Sequence, residues 1–417
     1  MKTGFLGIPT GLRKRLFDIA GFARENNISV YIVGGVVRDL LLKKTIKDLD
    51  LVIEGDASGF TRRYLRGSGC KKINLTVHPV FKTATLRFSD GHVVDVASAR
   101  EEVYPRPGAL PVVRLGTLED DLCRRDFTIN ALAAAVNRNG SGELIDYFDG
   151  KKDLRRKAVR ILHDRSFVDD PTRILRAVRF EQRLGFRIEP RTRRLLQAAV
   201  RKKAYETVKP PRYFAEFRKI FDESDPVKIL RRLRQLKATE PFCLGAKLNL
   251  RRLAMVQRYL KTTSGTPGQC LFWMALWENY PAAEREEMAG RFHLTRAEKS
   301  VLMKAPEAVQ VIRRVSRIGK SKDLFRCLKN YDIPVLYYAQ ARTASRKVRV
   351  RIGHFLQTDR HCKLAVNGHD LRKLGVTSGH WIGKILEELL EKKVSGRLKT
   401  RAQEMREARE LADRVMR

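Results

Sequence analysis

Apolar and polar positions repeat with two different periods along the first 150 residues. Leu12–Asn26 carries apolar side chains at helical spacing, and Ser29–Val33 is a short apolar run. Gly34-Gly35 follows as a tight turn, and Val36–Lys43 returns to the helical period. Lys47–Ile53 (KDLDLVI) alternates, the period of a half-buried strand, with Leu49, Leu51 and Ile53 on the core side. Thr83–Phe88 and His92–Ala97 flank Ser89-Asp90-Gly91, whose composition predicts a hairpin turn. From about Arg155 onward the strand pattern nearly vanishes. Pro171–Leu184, Arg191–Arg201, Val227–Leu236, Gln269–Asn279 and Ile382–Lys393 all repeat at helical spacing. Gly265–Gly268 and Arg317–Lys322 have the composition of connections. Trp273, Leu276 and Trp277 read as core rather than as a stacking surface. The pattern predicts a mixed α/β head followed by a long helical remainder, without internal repeats.

Charge narrows the class of partner. A chain of 417 residues with 43% hydrophobic content divides into more than one core. Lys and Arg outnumber Asp and Glu by 85 to 47, and the excess of +38 is dispersed along the chain. Dispersed positive charge of that size predicts a long polyanion, because each cation near a phosphate releases a counterion. An anionic membrane is the rival partner, but no run of 18 apolar residues and no lipidation pattern occurs. The N-terminal MKTGFLGIPTGLRKRL lacks the apolar core of a secretory leader. The six cysteines (70, 123, 243, 270, 327, 362) lie far apart with no Cys-x-x-Cys pair. That spacing argues against a zinc site or disulfide framework and fits a reducing cytoplasm. Between Arg191 and Ile220 ten Lys/Arg face only Glu206 and Glu216, a surplus that favours phosphate contact over a solvated face.

Candidate chemistry begins with Asp48 and Asp50. On a strand the two carboxylates share one face, about 6–7 Å apart, and repel each other unless a cation lies between them. Two solvated aspartates on an edge strand would give the same pattern. The nearby Gly34-Gly35 turn lets a phosphate chain approach the backbone, so the unit points to a metal–nucleoside triphosphate site. Asp95 lies on the second strand of the hairpin, opposite in direction to Val94 and Val96. A hairpin packed beside the Asp48/Asp50 strand would complete three carboxylates, which suit two magnesium ions. In RRDFTINAL, Asp126 and Asn130 are four apart, which on a helix gives both access to one ribose hydroxyl. Arg124 and Arg125 are placed to meet phosphates. In DDPTRILRAVRF, Pro171 suits a first helical position after an Asp cap. Arg173, Arg176 and Arg179 form a drifting stripe opposite Ile174, Leu175 and Val178. A guanidinium beside the Asp170 carboxylate presents donors and acceptors to a base edge.

The motifs GGVVRDLLL, DLDLVI, VDVASAR, RRDFTINALA and DDPTRILRAVRFEQRLGF occur in this order over roughly residues 30–190. Together they resemble the class II tRNA nucleotidyltransferases and the related bacterial poly(A) polymerases. The resemblance implies an α+β fold: a polymerase-β-like nucleotidyltransferase head (1–150), then an all-α neck (151–222), body (223–340) and tail (341–417) that hold tRNA. It implies that Asp48, Asp50 and Asp95 are catalytic and bind Mg²⁺. Gly34 and Gly35 would cradle the triphosphate, with Arg38 and Asp39 supporting that loop and Arg125 beside it. Asp126 and Asn130 would approach the ribose, and Asp170 and Arg173, with Arg176 and Arg179 along the same helix, would bind the nucleotide. The partners implied are ATP and/or CTP and the 3′ end and acceptor/T arm of tRNA. Where family members commonly have Glu-Asp, this chain has Asp169-Asp170. The segment between Arg100 and Arg124 resembles the element that governs base choice, and its PGALP core is similar to that of enzymes adding only CC or only A. Val366–Leu371 and Leu374–Gly383 resemble the tail of several bacterial members, with glycine turns that offer backbone N–H groups to phosphate. Addition of A, of CC, of complete CCA, or of poly(A) tails remain alternatives at this point.

Overall fold

The computed structural model describes residues 5–67, 73–136, 142–243, 248–263 and 268–416. The chain divides into two compact units, Met1–Leu244 and Gly245–Arg417. The first carries the mixed sheet together with helices. In chain order the strands are β1 (Val30–Val33), β2 (Leu49–Ile53), β3 (Ile73–His78), β4 (Thr83–Phe88) and β5 (Val93–Ser98). A separate hairpin of β6 (Arg100–Val103) and β7 (Val112–Leu115) follows, then β8 (Ala133–Ala135) and β9 (Leu144–Ile145) return to the sheet. The seven-stranded order is β3-β4-β5-β2-β1-β8-β9. Only β2 and β5 run parallel, and the other neighbours are antiparallel.

The local reasons are visible residue by residue. The Val-Tyr-Ile-Val run of β1 is buried along its whole length, as an interior strand of β-branched and aromatic residues should be. It ends at Gly34, whose φ of +65° suits glycine alone without strain, and the helix Gly35–Leu41 begins at once. The predicted β4–β5 hairpin forms around Gly91, at φ +86°. The predicted strand Lys47–Ile53 is shorter than its alternation implied: β2 starts at Leu49, and Asp48 is a bend ahead of it. Nor is β2 half-buried. Val52, on the Asp50 face, packs into a cluster with Tyr31, Val33, Leu118 and Leu122, so Asp50 alone among the β2 side chains is exposed. Both faces of this central strand are covered, and the polar opening is confined to one end.

Past β9, strand pairing among the described residues shrinks to Ala158–Val159 against Arg187–Ile188. The helix Thr172–Leu184 buries Ile174, Leu175 and Val178 and stops at Gly185 in the left-handed region. Helix Pro190–Arg201 starts with proline after a Glu189 cap, and Pro210–Arg218 also starts with proline.

The second unit is helical throughout its described residues. Trp273 and Trp277 are fully buried and stacked at 5.4 Å, so the core reading of these residues holds. Of the Gly265–Gly268 connection, 265–267 lie outside the described residues, while Gly268 opens the helix Gly268–Trp277. The Arg317–Lys322 connection is reduced to 318–320 by helices Glu307–Arg317 and Ser321–Leu328. Near the end, Asn367 and Asp370 form a reciprocal cap on Gly368–Lys373, and Leu371, Ile385, Leu389 and Leu411 share a core. No helix among the described residues is long and apolar enough to cross a membrane.

Leu51 faces the sheet interior at 1% exposure. Leu51→Ala should therefore cost about 2–5 kcal/mol and lower the melting temperature of the sheet-bearing unit by about 5–15 °C. Differential scanning calorimetry checks this, and an unshifted transition would remove β2 from the core.

Candidate active site

The parallel register of β2 and β5 sets Asp50 directly beside Asp95. Neighbouring strands lie about 4.8 Å apart, and like charges opposed at that spacing destabilise a sheet. Crowding by surrounding protein lifts the Asp50 carboxyl above its ordinary pKa, and Asp95 and Asp48 add to the rise while Arg125 and Arg38 oppose it. Asp50 nevertheless still reaches solvent. Asp95 is steadied by the Thr85 hydroxyl, which donates to it from the partnered position on β4. Asp48 lies exposed at the mouth of β2, outside the ladder. The sheet thus brings two of the three predicted carboxylates together and leaves the third at their edge. Among the described residues, no group of three or more His, Cys, Asp or Glu is already gathered around an ion position. The paired carboxylates, all oxygen donors at the open end of the sheet, fit a hard divalent cation.

Beside this pair opens a cavity of about 430 Å³, into which Asp50, Gly35 and Asp170 face. Six arginines line it (Arg38, Arg124, Arg125, Arg173, Arg176 and Arg183). Gly34 makes room for one of them, since a Cβ there would lie 2.3 Å from an Arg125 guanidinium nitrogen. Arg124 and Arg125 are both held by Asp121, at 2.5 and 2.8 Å. Burial pushes the Asp121 carboxyl up, but Arg125 and Arg124 more than offset this and hold it below its ordinary value.

Asp126 and Asn130 meet as expected, although not on an α-helix. Thr128–Asn130 is a single 3-10 turn, and across it the Asn130 side-chain amide donates to Asp126 at 2.9 Å. Arg38 donates to the Asn130 side-chain oxygen, Oδ1, at 2.6 Å and forks onto Asp39. Asp126 also pairs with Arg176 at 2.7 Å. Burial raises the Asp126 carboxyl, yet Arg176, Asn130 and Arg173 together hold it below the usual carboxylate range. Arg176, pushed up chiefly by Asp126, stays charged and also reaches Glu216 at 3.2 Å.

The arginine stripe of helix Thr172–Leu184 divides. Arg173 turns inward, donating to the Ser166 hydroxyl at 2.6 Å and the Arg124 carbonyl at 2.8 Å. Arg179 pairs with Glu216 and Glu223 and does not line the cavity. The drift of an i, i+3, i+6 series around the helix carries it off the face, which is recovered seven residues after Arg176 by Arg183. Phe180 organises this wall: the guanidinium carbons of Arg38, Arg176, Arg179 and Arg183 lie 5.1–5.7 Å from its ring centroid. Burial, then the charge of Arg38, lowers the Arg183 pKa.

Glu102, Tyr104, Phe180 and Arg183 also line the cavity and were not singled out from the sequence. Phe180 and Arg183 sit four and seven residues after Arg176, a helical spacing that marks them in retrospect. Glu102 and Tyr104 carry no comparable signal, because the separate hairpin that positions them is not set by local pattern.

Residues 30–160 match the family described as the poly A polymerase head domain, and 185–246 match a probable RNA and SrmB-binding site of polymerase A. The A-adding tRNA nucleotidyltransferase of Geobacter sulfurreducens is 36% identical over 427 residues, spanning 95% of this chain and 47% of that protein. The A-adding tRNA nucleotidyltransferase of Halalkalibacterium halodurans is 32% identical, spanning 88% of this chain and 84% of its own length. A Thermotoga maritima CCA-adding enzyme complexed with tRNA superposes with a TM-score of 0.76 at 31% identity, covering 97% of this chain and 96% of its own. The chain spans about half the length of the Geobacter relative.

Because Asp126, Asp121 and Glu216 are held below their ordinary values, the stability they contribute is present above about pH 4–4.5 and is lost as pH falls through the lower folded values. Arg176→Met leaves Asp126 without its main partner and should cost about 2–3 kcal/mol near pH 7. That deficit should shrink towards about pH 4, as the stranded carboxylate takes up a proton. Urea unfolding across this range checks it, and a deficit independent of pH would remove the ion pair as its cause.

Proposed function

This chain belongs to the family of tRNA nucleotidyltransferases and poly(A) polymerases, and we propose that it transfers AMP from ATP to the 3′ end of tRNA ending in CC. The observation that carries this reading is the in-register Asp50–Asp95 pair opening onto an arginine-walled cavity. The choice of AMP rests on the A-adding relatives, which align along nearly the whole chain.

Asp48, Asp50 and Asp95 would hold divalent cations, Mg²⁺ by the oxygen-only donor set, which when bound activate a hydroxyl and neutralise triphosphate charge. The RNA 3′-oxygen forms a bond to the α-phosphorus, and the bond from that phosphorus to the bridging oxygen of pyrophosphate breaks. Gly34 and Gly35 permit close approach of the phosphates to the backbone, and Arg38 and Arg125 offer guanidinium donors to their oxygens. Asp126 and Asn130, locked to each other, border the position of the ribose. Asp170 and Arg173 border that of the base, so the protein, rather than a template strand, selects it. Apart from Arg212, whose guanidinium is engaged by Asp170, the basic stretch from Arg191 to Ile220 supplies sequence-independent contacts to the tRNA backbone. A cytoplasmic location follows from such a substrate.

The deciding experiment offers labelled ATP or CTP to three tRNA transcripts, ending at the discriminator base, at C and at CC, with products resolved at single-nucleotide length. A single A added only to the CC-ended transcript is the expected outcome. Two C residues, or all three, would reassign the specificity within the family, and long A tails on any RNA would favour a poly(A) polymerase. Asp48→Ala should abolish incorporation while leaving tRNA retention on a filter intact. Persistent incorporation would remove the cation assignment.

A further inference from the structure

Arg212, on helix Pro210–Arg218, touches three groups, one on the cavity wall and two on the connection between β6 and β7. One of its terminal nitrogens pairs with an Asp170 carboxylate oxygen at 3.1 Å. The other donates to the backbone carbonyls of Gly108 and Ala109, at 3.1 and 2.9 Å. Gly108 and Ala109 sit at the tip of the connection between β6 and β7, whose base carries Glu102 and Tyr104 into the cavity. The same tip is fastened twice more. The Gly108 N–H donates to the Asp169 carbonyl at 3.2 Å. Gly108 also lies flat on Thr207, where a Cβ would come within 2.6 Å of main-chain atoms, and its φ of +68° suits glycine.

Asp170 is accordingly fixed on both sides. Its other oxygen accepts from the Thr172 amide at 3.1 Å and the Thr172 hydroxyl at 2.6 Å. A carboxylate reads a base by accepting from an exocyclic amine, and adenine and cytosine both present one, at different places. Which amine is met depends on where the carboxylate points. The planar fork of an arginine sets direction in a way that a point charge does not.

Resting on the nucleotidyl-transfer reading above, we infer that Arg212 is a specificity-determining positioning residue. It clamps Asp170 to the Gly108–Ala109 tip, so that the hairpin connection and the base-reading carboxylate hold one geometry. Without the fork, Asp170 keeps only its Thr172 contacts and can swing to accept from either amine.

The test compares the full chain with Arg212→Ala and Arg212→Lys, by hydrogen–deuterium exchange of residues 104–111 and by kcat/KM for ATP and CTP on CC-ended tRNA. In Arg212→Ala, exchange at 104–111 should accelerate and the preference for ATP over CTP should fall by about tenfold, with tRNA affinity unchanged. Arg212→Lys keeps the charge and loses the fork, so it should not restore the preference. Gly108→Ala, which lifts the tip from Thr207 while leaving the Arg212 and Asp170 side chains in place, should relax the preference in the same direction. Faster exchange with an unaltered ATP/CTP ratio would make Arg212 a structural latch only and overturn the proposal. Unaltered exchange, or full rescue by lysine, would overturn it as well. If the wild-type protein transfers neither nucleotide to any transcript, the transfer reading fails. The clamp is then judged separately, by exchange and by the ratio of ATP to CTP dissociation constants in the same variants.

Discussion

A carboxylate cannot be buried without an organised set of partners, and Asp126 is buried at 8% exposure. The compensation it requires links elements that are distant in sequence. Asn130 approaches from the 3-10 turn, Arg176 from helix Thr172–Leu184, and Arg38 reaches the same turn through Asn130. Arg176 continues to Glu216, Glu216 to Arg179, and Arg179 to Glu223. Charges therefore alternate from Asp126 to Glu223, past the end of helix Pro210–Arg218, and Arg38 joins the series through the neutral Asn130 amide. Each member in the middle has two partners of opposite sign, so no link gives way without stranding a neighbour. The cavity wall inherits its geometry from this chain of pairs, while the Phe180 ring fills the space that four guanidiniums cannot share with one another.

The sheet imposes the opposite condition at Asp50. There two acids are pressed together by strand register, and the nearest opposing charges, Arg125 and Arg38, are committed elsewhere: Arg125 to Asp121, Arg38 to Asp39. The register is not free to slip. Displacing β2 by one residue would turn Asp50 away from the cavity into the core and put a leucine in its place. Burial of Leu49, Leu51 and Ile53 holds the acid pair in its unfavourable contact, much as the ion-pair chain holds the arginines in theirs.

The features legible in the sequence were those carried by local period and by short motifs. The β4–β5 hairpin, the glycine turn at Gly34 and the helices beyond residue 155 follow from patterns within ten or fifteen residues. Three readings failed where a longer-range fact decided. The alternation of Lys47–Ile53 suggested one wet face, but β8 and the Leu118–Cys123 helix pack with Val52, and no local pattern discloses neighbours arriving 66 or more residues later. The i, i+4 spacing of Asp126 and Asn130 suggested an α-helix, whereas their mutual hydrogen bond closes a tighter turn. Arg179 was grouped with Arg173 and Arg176 on the strength of spacing, but the drift of the helix delivers Arg183 to the cavity instead. Glu102 illustrates the remaining limit. It bridges Arg100 and Arg124, and neither its burial nor its partners follow from anything within the strand that bears it.

Charge bookkeeping inside the cavity explains why both halves of the site are needed for the proposed reaction. Six arginines line it against Asp50, Glu102, Asp126 and Asp170, a formal surplus of only two positive charges. Most of those guanidiniums are already engaged by protein carboxylates, which fixes their orientation and reduces what they can add electrostatically. A nucleoside triphosphate brings more negative charge than that surplus can balance, and further charge builds on the transferring phosphoryl oxygens as the leaving group departs. A wall of this kind is therefore suited to orient the triphosphate rather than to neutralise it. Among the carboxylates that line the cavity, Glu102, Asp126 and Asp170 are each paired with arginine, so neutralisation falls to a cation held at Asp50. The repulsion between Asp50 and Asp95, set by strand register, is what a divalent cation held there would relieve.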